Sequence, residues 1–325
     1  MKTATISAVQ TVLGEVAPDE LGVVLPHEHV IHKISMLSGN PDNTMVDVDL
    51  MAEELRIFKA AGGGTVCDVT PVNLARDPVA LQTVSRKSGV HIVSAVGLYQ
   101  LEAWTPELLA LSRSELADYI LRELDGEFSG VPAALIGEIA SHNEPEHADW
   151  RRYRLTEKER IVFQAVADAQ RASGLWVSTH ASVGRHGVAQ LRCLAEAGAD
   201  TTRVVIGHCD AQYHEDLAVD LEYFGELLKF GAMLEFDLYG WSEMGPDSIR
   251  DRRIAALVRE GLAERILLST DTCRLSQLHR NGGRGFDYLF THVLPGLRNA
   301  GVREYDLRVI TVANPVKILT RAQRP

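Results

Sequence analysis

Only four cysteines stand in the 325-residue chain, at 67, 193, 209 and 273, and no two are spaced as a pair. That scarcity excludes a disulfide framework and points to reduced thiols in a cytoplasmic protein. Positive charge is also short: 33 Lys and Arg against 44 Asp and Glu leave a net charge of −11. No basic stripe is available to neutralise phosphates, so nucleic acid is not an expected partner. No apolar run reaches the ~18 residues of a membrane span, and Met1–Gln10 lacks the basic and apolar regions of a secretion signal. A membrane partner is therefore not expected either. Pro/Gly/Ser-rich linkers, internal repeats and low-complexity tracts are absent as well. At ~150 residues per domain the length allows two domains, but this uniformity argues for one, spanning 1–325.

What the chain does contain is alternation. Short runs rich in Val, Ile and Leu read as eight strands: Leu21–His29, Gly64–Val69, His91–Val96, Ala133–Ala140, Trp176–His180, Arg203–His208, Ala232–Asp237 and Arg265–Asp271. Helical periodicity falls between them, over Asp47–Ala61, Ser112–Leu124, Thr156–Ser173, Gly187–Ala197, Leu217–Phe230, Ile249–Gly261 and Phe286–Ala300. Continuous apolar strands are those of a parallel sheet buried on both faces. Eight such alternations predict an α/β fold, a single (β/α)8 TIM barrel, ahead of a doubly wound sheet. The polar stretch Ser141–Arg154 follows the fourth strand and reads as an enlarged βα loop. Ala211–Asp216, Tyr239–Asp247 and Thr272–Arg284 are loop-like too.

The strands end in unusual residues. The first closes with Pro26-His27-Glu28-His29. A period of two puts His27 and His29 on one side and Glu28 on the other. Two imidazoles presented together suit one divalent metal, although H-x-H alone is a weak motif. Glu138 interrupts an apolar run, His180 ends the fifth strand, His208 the sixth and Asp271 the eighth. Unpaired, such groups are costly in a core. Four imidazoles and two carboxylates exceed the needs of one open tetrahedral site, so two metals fit better than one.

With these residues in place the chain resembles the phosphotriesterase family, within the amidohydrolase-type barrels, over nearly its whole length. Gly22-Val23-Val24-Leu25-Pro26-His27-Glu28-His29 is similar to the family's first signature, whose two His bind the more buried metal. Glu138 lies at the bridging position, usually a carboxylated Lys. His180 and His208 match the ligands of the more exposed metal, and Asp271 the Asp that completes the buried site. The chain looks close to a glutamate-bearing branch of the family, which includes phosphotriesterase-related and phosphotriesterase homology proteins. Gly137-Glu138-Ile139, Leu155-Thr156-Glu157-Lys158-Glu159-Arg160 and Glu235-Phe236-Asp237-Leu238-Tyr239-Gly240 resemble it. The segment 141–154 has no counterpart there and reads as an insertion able to lid the site. Glu138 has a second reading, as a structural acid paired with a barrel Lys or Arg.

The resemblance implies a metal-dependent hydrolase with two divalent ions, Zn²⁺ first, while Mn²⁺, Fe²⁺ or Co²⁺ also suit these ligands. A metal-bridging hydroxide would be the nucleophile, and Asp271 would take its proton. Tyr99 resembles a tyrosine beside the metal centre of the family's lactonases; its other reading is a partly buried aromatic bonded to a loop carbonyl. Leu238 stands where organophosphate-hydrolysing members of the family place a His used in proton relay and where lactonases place an Arg, and Ala211 stands at the relay Asp. The resemblance therefore implies neither efficient phosphotriester turnover nor a plain acyl-homoserine-lactone activity. The expected reaction is attack on the carbonyl of a small carboxylic ester, lactone or N-acyl amide. Phosphotriester cleavage is the alternative, followed by an H-x-H deoxyribonuclease and a non-catalytic metal-binding protein. Substrate contacts are expected from Tyr99, Trp241, Arg274 and His279, with Trp104 as a further wall. Arg76 and Asp77 read as a surface ion pair, and His32, His91, His142, His147, His186, His214 and His292 as surface or packing residues. Cys209 reads as packing, and Cys273 approaches the site without a histidine spaced to activate it. The partner is a small-molecule substrate, and a homodimer is the family-level expectation.

Overall fold

The computed structural model describes residues 8–141, 149–181 and 185–321. Eight parallel strands form one sheet: β1 (Val23–Glu28), β2 (Gly63–Asp68), β3 (His91–Leu98), β4 (Leu135–Ser141), β5 (Val177–Ala181), β6 (Val204–Ile206), β7 (Met233–Phe236) and β8 (Ile266–Leu268). Each pairs with the next in chain order. The sheet curls until β8 lies beside β1, giving a nearly closed barrel of the expected class. Among the described residues no helix is long and apolar enough to cross a membrane.

The helices α1 (Val48–Ala60), α2 (Pro78–Ser88), α3 (Arg113–Leu124), α4 (Glu157–Ser173), α5 (Gly187–Glu196), α6 (Leu217–Lys229) and α7 (Asp247–Arg259) follow the strands. Local chemistry starts several of them. Asp47 and Asp216 accept backbone N–H bonds as caps, and Ser112 and Thr156 form capping boxes with Glu115 and Glu159. The last expected helix, Phe286–Ala300, is instead a π-helical turn at Leu289–Val293 running into Leu294–Asn299. Helix α2 escapes the sequence reading because its buried face holds only Pro78, Leu81, Val84, Ser85 and Ser88. Its signal was the Asp77-Pro78 start and the Gly89 stop, where φ is +70°.

Two apolar layers follow from the strand alternation. Leu25, Val66, Ile92, Ile136, Val177, Ile206, Leu234 and Ile266 face outward onto the helices. Val24, Cys67, Val93, Leu135, Val205, Met233 and Leu267 face inward and fill the barrel floor, together with Val9, Ile318 and Leu319 from the chain ends. Residues 142–148 of the expected 141–154 insertion, with His142 and His147, lie outside the described residues.

Candidate metal centre

Above the floor the interior turns ionisable. His27 and His29 come from the end of β1, where pairing with β2 shifts register between Leu25 and Glu28. Glu138 comes from β4 at a similar shift between Ile136 and Ile139. His180 sits within β5, while His208 and Asp271 follow β6 and β8 in left-handed backbone, with φ of 53° and 44°. All six are buried. Their ligand atoms form two clusters, His27/His29/Asp271 and Glu138/His180/His208, each within 4.8 Å; His27 and His208 also group with Asp237. Glu138 lies between the two clusters: its Oε2 is 2.7 Å from His180 Nδ1 and 3.3 Å from His27 Nε2, and its Oε1 is 3.6 Å from His29 Nε2. His29 Nε2 is 3.4 Å from Asp271 Oδ1.

A surrounding set of groups orients these side chains. His27 Nδ1 lies 3.0 Å from Glu235 Oε2, His208 Nδ1 lies 2.8 Å from Asp237 Oδ1, and His29 Nδ1 lies 3.0 Å from Thr70 Oγ1. Each contact occupies one ring nitrogen and leaves Nε2 facing the centre. Asp237 is anchored in turn: Asp210 accepts its N–H, the Leu238 N–H and the Arg250 guanidinium. Burial pushes the Asp271 carboxyl up to about 7 and holds the His29 imidazole well below its ordinary range. Burial also raises Glu138, but the His180 and His27 rings outweigh it and hold that carboxyl well below the usual carboxylate range.

Do these residues fit metal ions? His27 Nε2 and Asp271 Oδ1 are buried without a hydrogen-bond partner, an expensive condition in a core. His180 Nδ1 and His208 Nε2 approach to 2.8 Å, two ring nitrogens that a shared cation would satisfy together. Imidazole and carboxylate donors in this number suit a pair of divalent ions. Among the described residues no Lys or Arg pairs with Glu138, which counts against its reading as a structural ion-pair acid. A cavity of about 230 Å³ opens over the donors, walled by Ile34, Asn43, Tyr99, Leu238, Trp241, Met244, Cys273 and Arg274.

Residues 7–319 match the model of the phosphotriesterase family. The chain belongs to this family. The N-acetyltaurine hydrolase of Homo sapiens is 31% identical, with 96% of this chain and 97% of that one covered. The phosphotriesterase homology protein of Escherichia coli strain K12 is 32% identical over 91% of this chain and 97% of its own. The crystal structure of the Escherichia coli phosphotriesterase homology protein, complexed with phosphate in its active site, superposes with a TM-score of 0.84 at 30% identity, covering 93% of this chain and 99% of that one. This phosphotriesterase-family chain is a hydrolase. Enzymes of the family use a binuclear metal centre, and the His, Glu and Asp clusters here offer donors for one.

Within this family member the expected substrate contacts fall in different places. Tyr99 walls the cavity, its ring 4.8 Å from that of His180. Trp241 is buried there with Nε1 donating to the Thr270 carbonyl at 3.0 Å. Arg274 stacks 4.2 Å over Trp241 and pairs with Glu243 at 2.6 Å. His279 does not line the cavity: Nε2 pairs with Asp287 at 2.5 Å and its backbone N–H donates to Glu54. Trp104 is also no wall; its Nε1 donates to the Tyr99 carbonyl at 2.7 Å and holds that loop from behind. Arg76 and Asp77 do not pair. Arg76 bonds Glu123, the Ala95 carbonyl and Ser94, whereas Asp77 caps α2. Cys209 is buried with Sγ on the Ile206 carbonyl, and His186 stacks on Tyr153. Sequence reasoning missed Glu235, Asp237 and Thr70 as orienting groups. The available signal was the pair of acids two apart in an otherwise apolar strand.

Proposed function

We propose that this hydrolase cleaves the carbonyl linkage of a small N-acyl amide, carboxylic ester or lactone, with an N-acyl amide bearing an anionic group ranked first. The observation that carries this reading is the surroundings of Asp271: a buried Oδ1 without a hydrogen-bond partner, beside His29, at the base of a cavity sized for a small molecule. His27, His29, Glu138, His180, His208 and Asp271 would hold two divalent ions, Zn²⁺ first. When bound, these would supply a water acidified toward neutrality and polarise the scissile oxygen. Asp271 would accept a proton on its carboxylate and pass it to the leaving group. Tyr99, whose ring lies 4.8 Å from that of His180, would orient the substrate oxygen. Leu238 and Trp241 form an apolar wall, and Arg274, already paired with Glu243, would turn its remaining guanidinium N–H groups to an anionic end. The relative named for N-acetyltaurine, an acyl amide ending in a sulfonate, supports this ranking. Leu238 and Ala211, which stand at the positions of relay residues in organophosphate-hydrolysing members, count against efficient phosphotriester turnover, and Leu238, where lactonases place an Arg, also ranks lactones below N-acyl amides.

The test is a substrate screen with metal-reconstituted protein. It compares N-acyl taurines, N-acyl amino acids, aryl esters, lactones, a phosphotriester and DNA. The expected result is the highest kcat/KM on an anionic N-acyl amide. A clear preference for the phosphotriester overturns the proposal.

A further inference from the structure

We propose that Glu28, the residue between the two histidines of β1, is the positioning residue that sets the Asp271 carboxylate in the metal centre. The inference rests on the reading of Asp271 as a metal ligand and proton acceptor. Glu28 is fully buried, and its side chain runs to the end of β8 instead of to the cavity. Among the described residues the backbone ladder runs from β1 round to β8 without a β8–β1 ladder. A backbone bond crosses that seam, from the His29 N–H to the Thr272 carbonyl at 3.3 Å, and side chains bridge the rest of it. The His27 N–H donates to Ser269 Oγ at 3.0 Å, and Ser269 Oγ donates to Glu28 Oε1 at 2.8 Å. The Thr270 N–H and hydroxyl both donate to Glu28 Oε1 at 2.7 Å, and the Thr272 N–H donates to Oε2 at 2.6 Å.

The two N–H groups that Glu28 holds belong to the residues immediately before and after Asp271. Asp271 itself adopts φ of 44°, a left-handed conformation uncommon outside Gly and tolerated at some cost by Asn and Asp. Gripping both neighbours with one carboxylate helps to hold it. Trp241 Nε1 and Arg284 Nη2 hold the Thr270 carbonyl from the other side, at 3.0 and 2.7 Å. The consequence is the position of Oδ1, 3.4 Å from His29 Nε2. Glu28 thus links the histidines on either side of it in the chain to the aspartate across the seam.

The grip needs acceptors at both oxygens, which a carboxylate supplies and an amide does not. In Glu28→Gln the amide NH₂ must face the Thr270 or the Thr272 N–H, so one of the two N–H bonds flanking Asp271 is lost while the carbonyl bonds of both residues remain. The experiment is Co²⁺ titration of metal-free protein, followed by equilibrium dialysis and by the visible spectrum, with steady-state kinetics alongside. Wild type is expected to take up two equivalents. Glu28→Gln is expected to bind one of them roughly 10–100-fold more weakly, the usual size for loss of a group that orients a metal ligand. Its cobalt spectrum should change, and kcat should fall by a similar factor with KM within about threefold. Thr270→Val removes one hydroxyl donor and keeps both N–H bonds. It guards against misfolding of the first variant, and should weaken one equivalent by about three- to fivefold. Wild-type affinity and spectrum in folded Glu28→Gln, or in Thr270→Val, overturn the positioning role. A wild-type protein that takes up no cobalt overturns the metal centre itself, and this inference with it.

Discussion

At the floor of the barrel, Val24, Val93, Leu135, Val205, Met233 and Leu267 fill the interior with apolar side chains. A few residues further along the same strands, the interior holds His27, Glu138, His180, Glu235 and Asp237, with His208 and Asp271 at the strand ends. The floor is satisfied by packing alone. The rim is satisfied only in part, since His27 Nε2 and Asp271 Oδ1 are buried without hydrogen-bond partners. One end of the barrel therefore supplies stability, and the other keeps costly groups in place for chemistry.

Four experiments break or sharpen that contrast. The largest effect is expected from metal removal. Chelation should reduce hydrolysis to background, restored by Zn²⁺, Mn²⁺ or Co²⁺. It should also lower Tm, because each ion at 100 times its Kd contributes about 2.7 kcal/mol to the folded state. Full activity after verified metal depletion would break the contrast outright.

Next is Asp271→Asn at the rim. Loss of the proton acceptor and of one metal ligand should lower kcat by about 10²–10⁴-fold, while Tm falls less than on full metal removal. Wild-type kcat in the folded variant would remove Asp271 from the mechanism. The mirror experiment is Met233→Ala at the floor, where Met233 is fully buried. It should cost about 2–5 kcal/mol of stability, read by denaturant unfolding, and leave KM and metal content unchanged. A changed KM would show that floor and rim are not separable.

The smallest effect tests a charge outside the barrel interior. Burial pushes the Asp251 carboxyl on α7 up to about 6 from an ordinary 3.8, and Tyr239 donates to it at 3.0 Å. A raised folded pKa means that the native state binds this proton more tightly than the unfolded chain. Its stabilising contribution is present below about pH 4 and is lost as pH rises through about 6. With solvent screening, about 1 kcal/mol is involved. Asp251→Asn should flatten that part of the stability profile and leave kcat/KM alone. An unchanged profile would count against this assignment.

Much of this organisation is visible in the chain because it is written locally. Apolar runs of strand length mark all eight strands, and Asp47, Ser112 and Thr156 mark helix starts. Imidazoles and acids inside or ending those runs mark the candidate ligands. The orienting groups were harder to recognise. Glu235 is in view beside Asp237, but its partner His27 is 208 positions away, and nothing near either residue announces the contact. The same holds for Glu28, whose bonds to Ser269, Thr270 and Thr272 span more than 240 positions. His279 shows the opposite error. A histidine in the loop after Asp271 reads as a substrate contact until Asp287 takes its ring.

The amino-acid sequence by itself determined the order of the strands, the apolar floor and the kinds of side chain available at the rim. Which way those side chains face was decided only by the tertiary structure. Strand alternation from Leu25 and Ile136, both outward, needs a shift before His27 and Glu138 can turn inward, and the register shifts provide it. Beyond β6, where Val205 faces inward, the left-handed backbone at His208 returns that ring to the centre. With a period of two, a one-residue slip exchanges inside for outside. Whether the slip occurs depends on closing eight strands around a shared interior, a long-range balance of packing and hydrogen bonds that no local stretch of sequence contains.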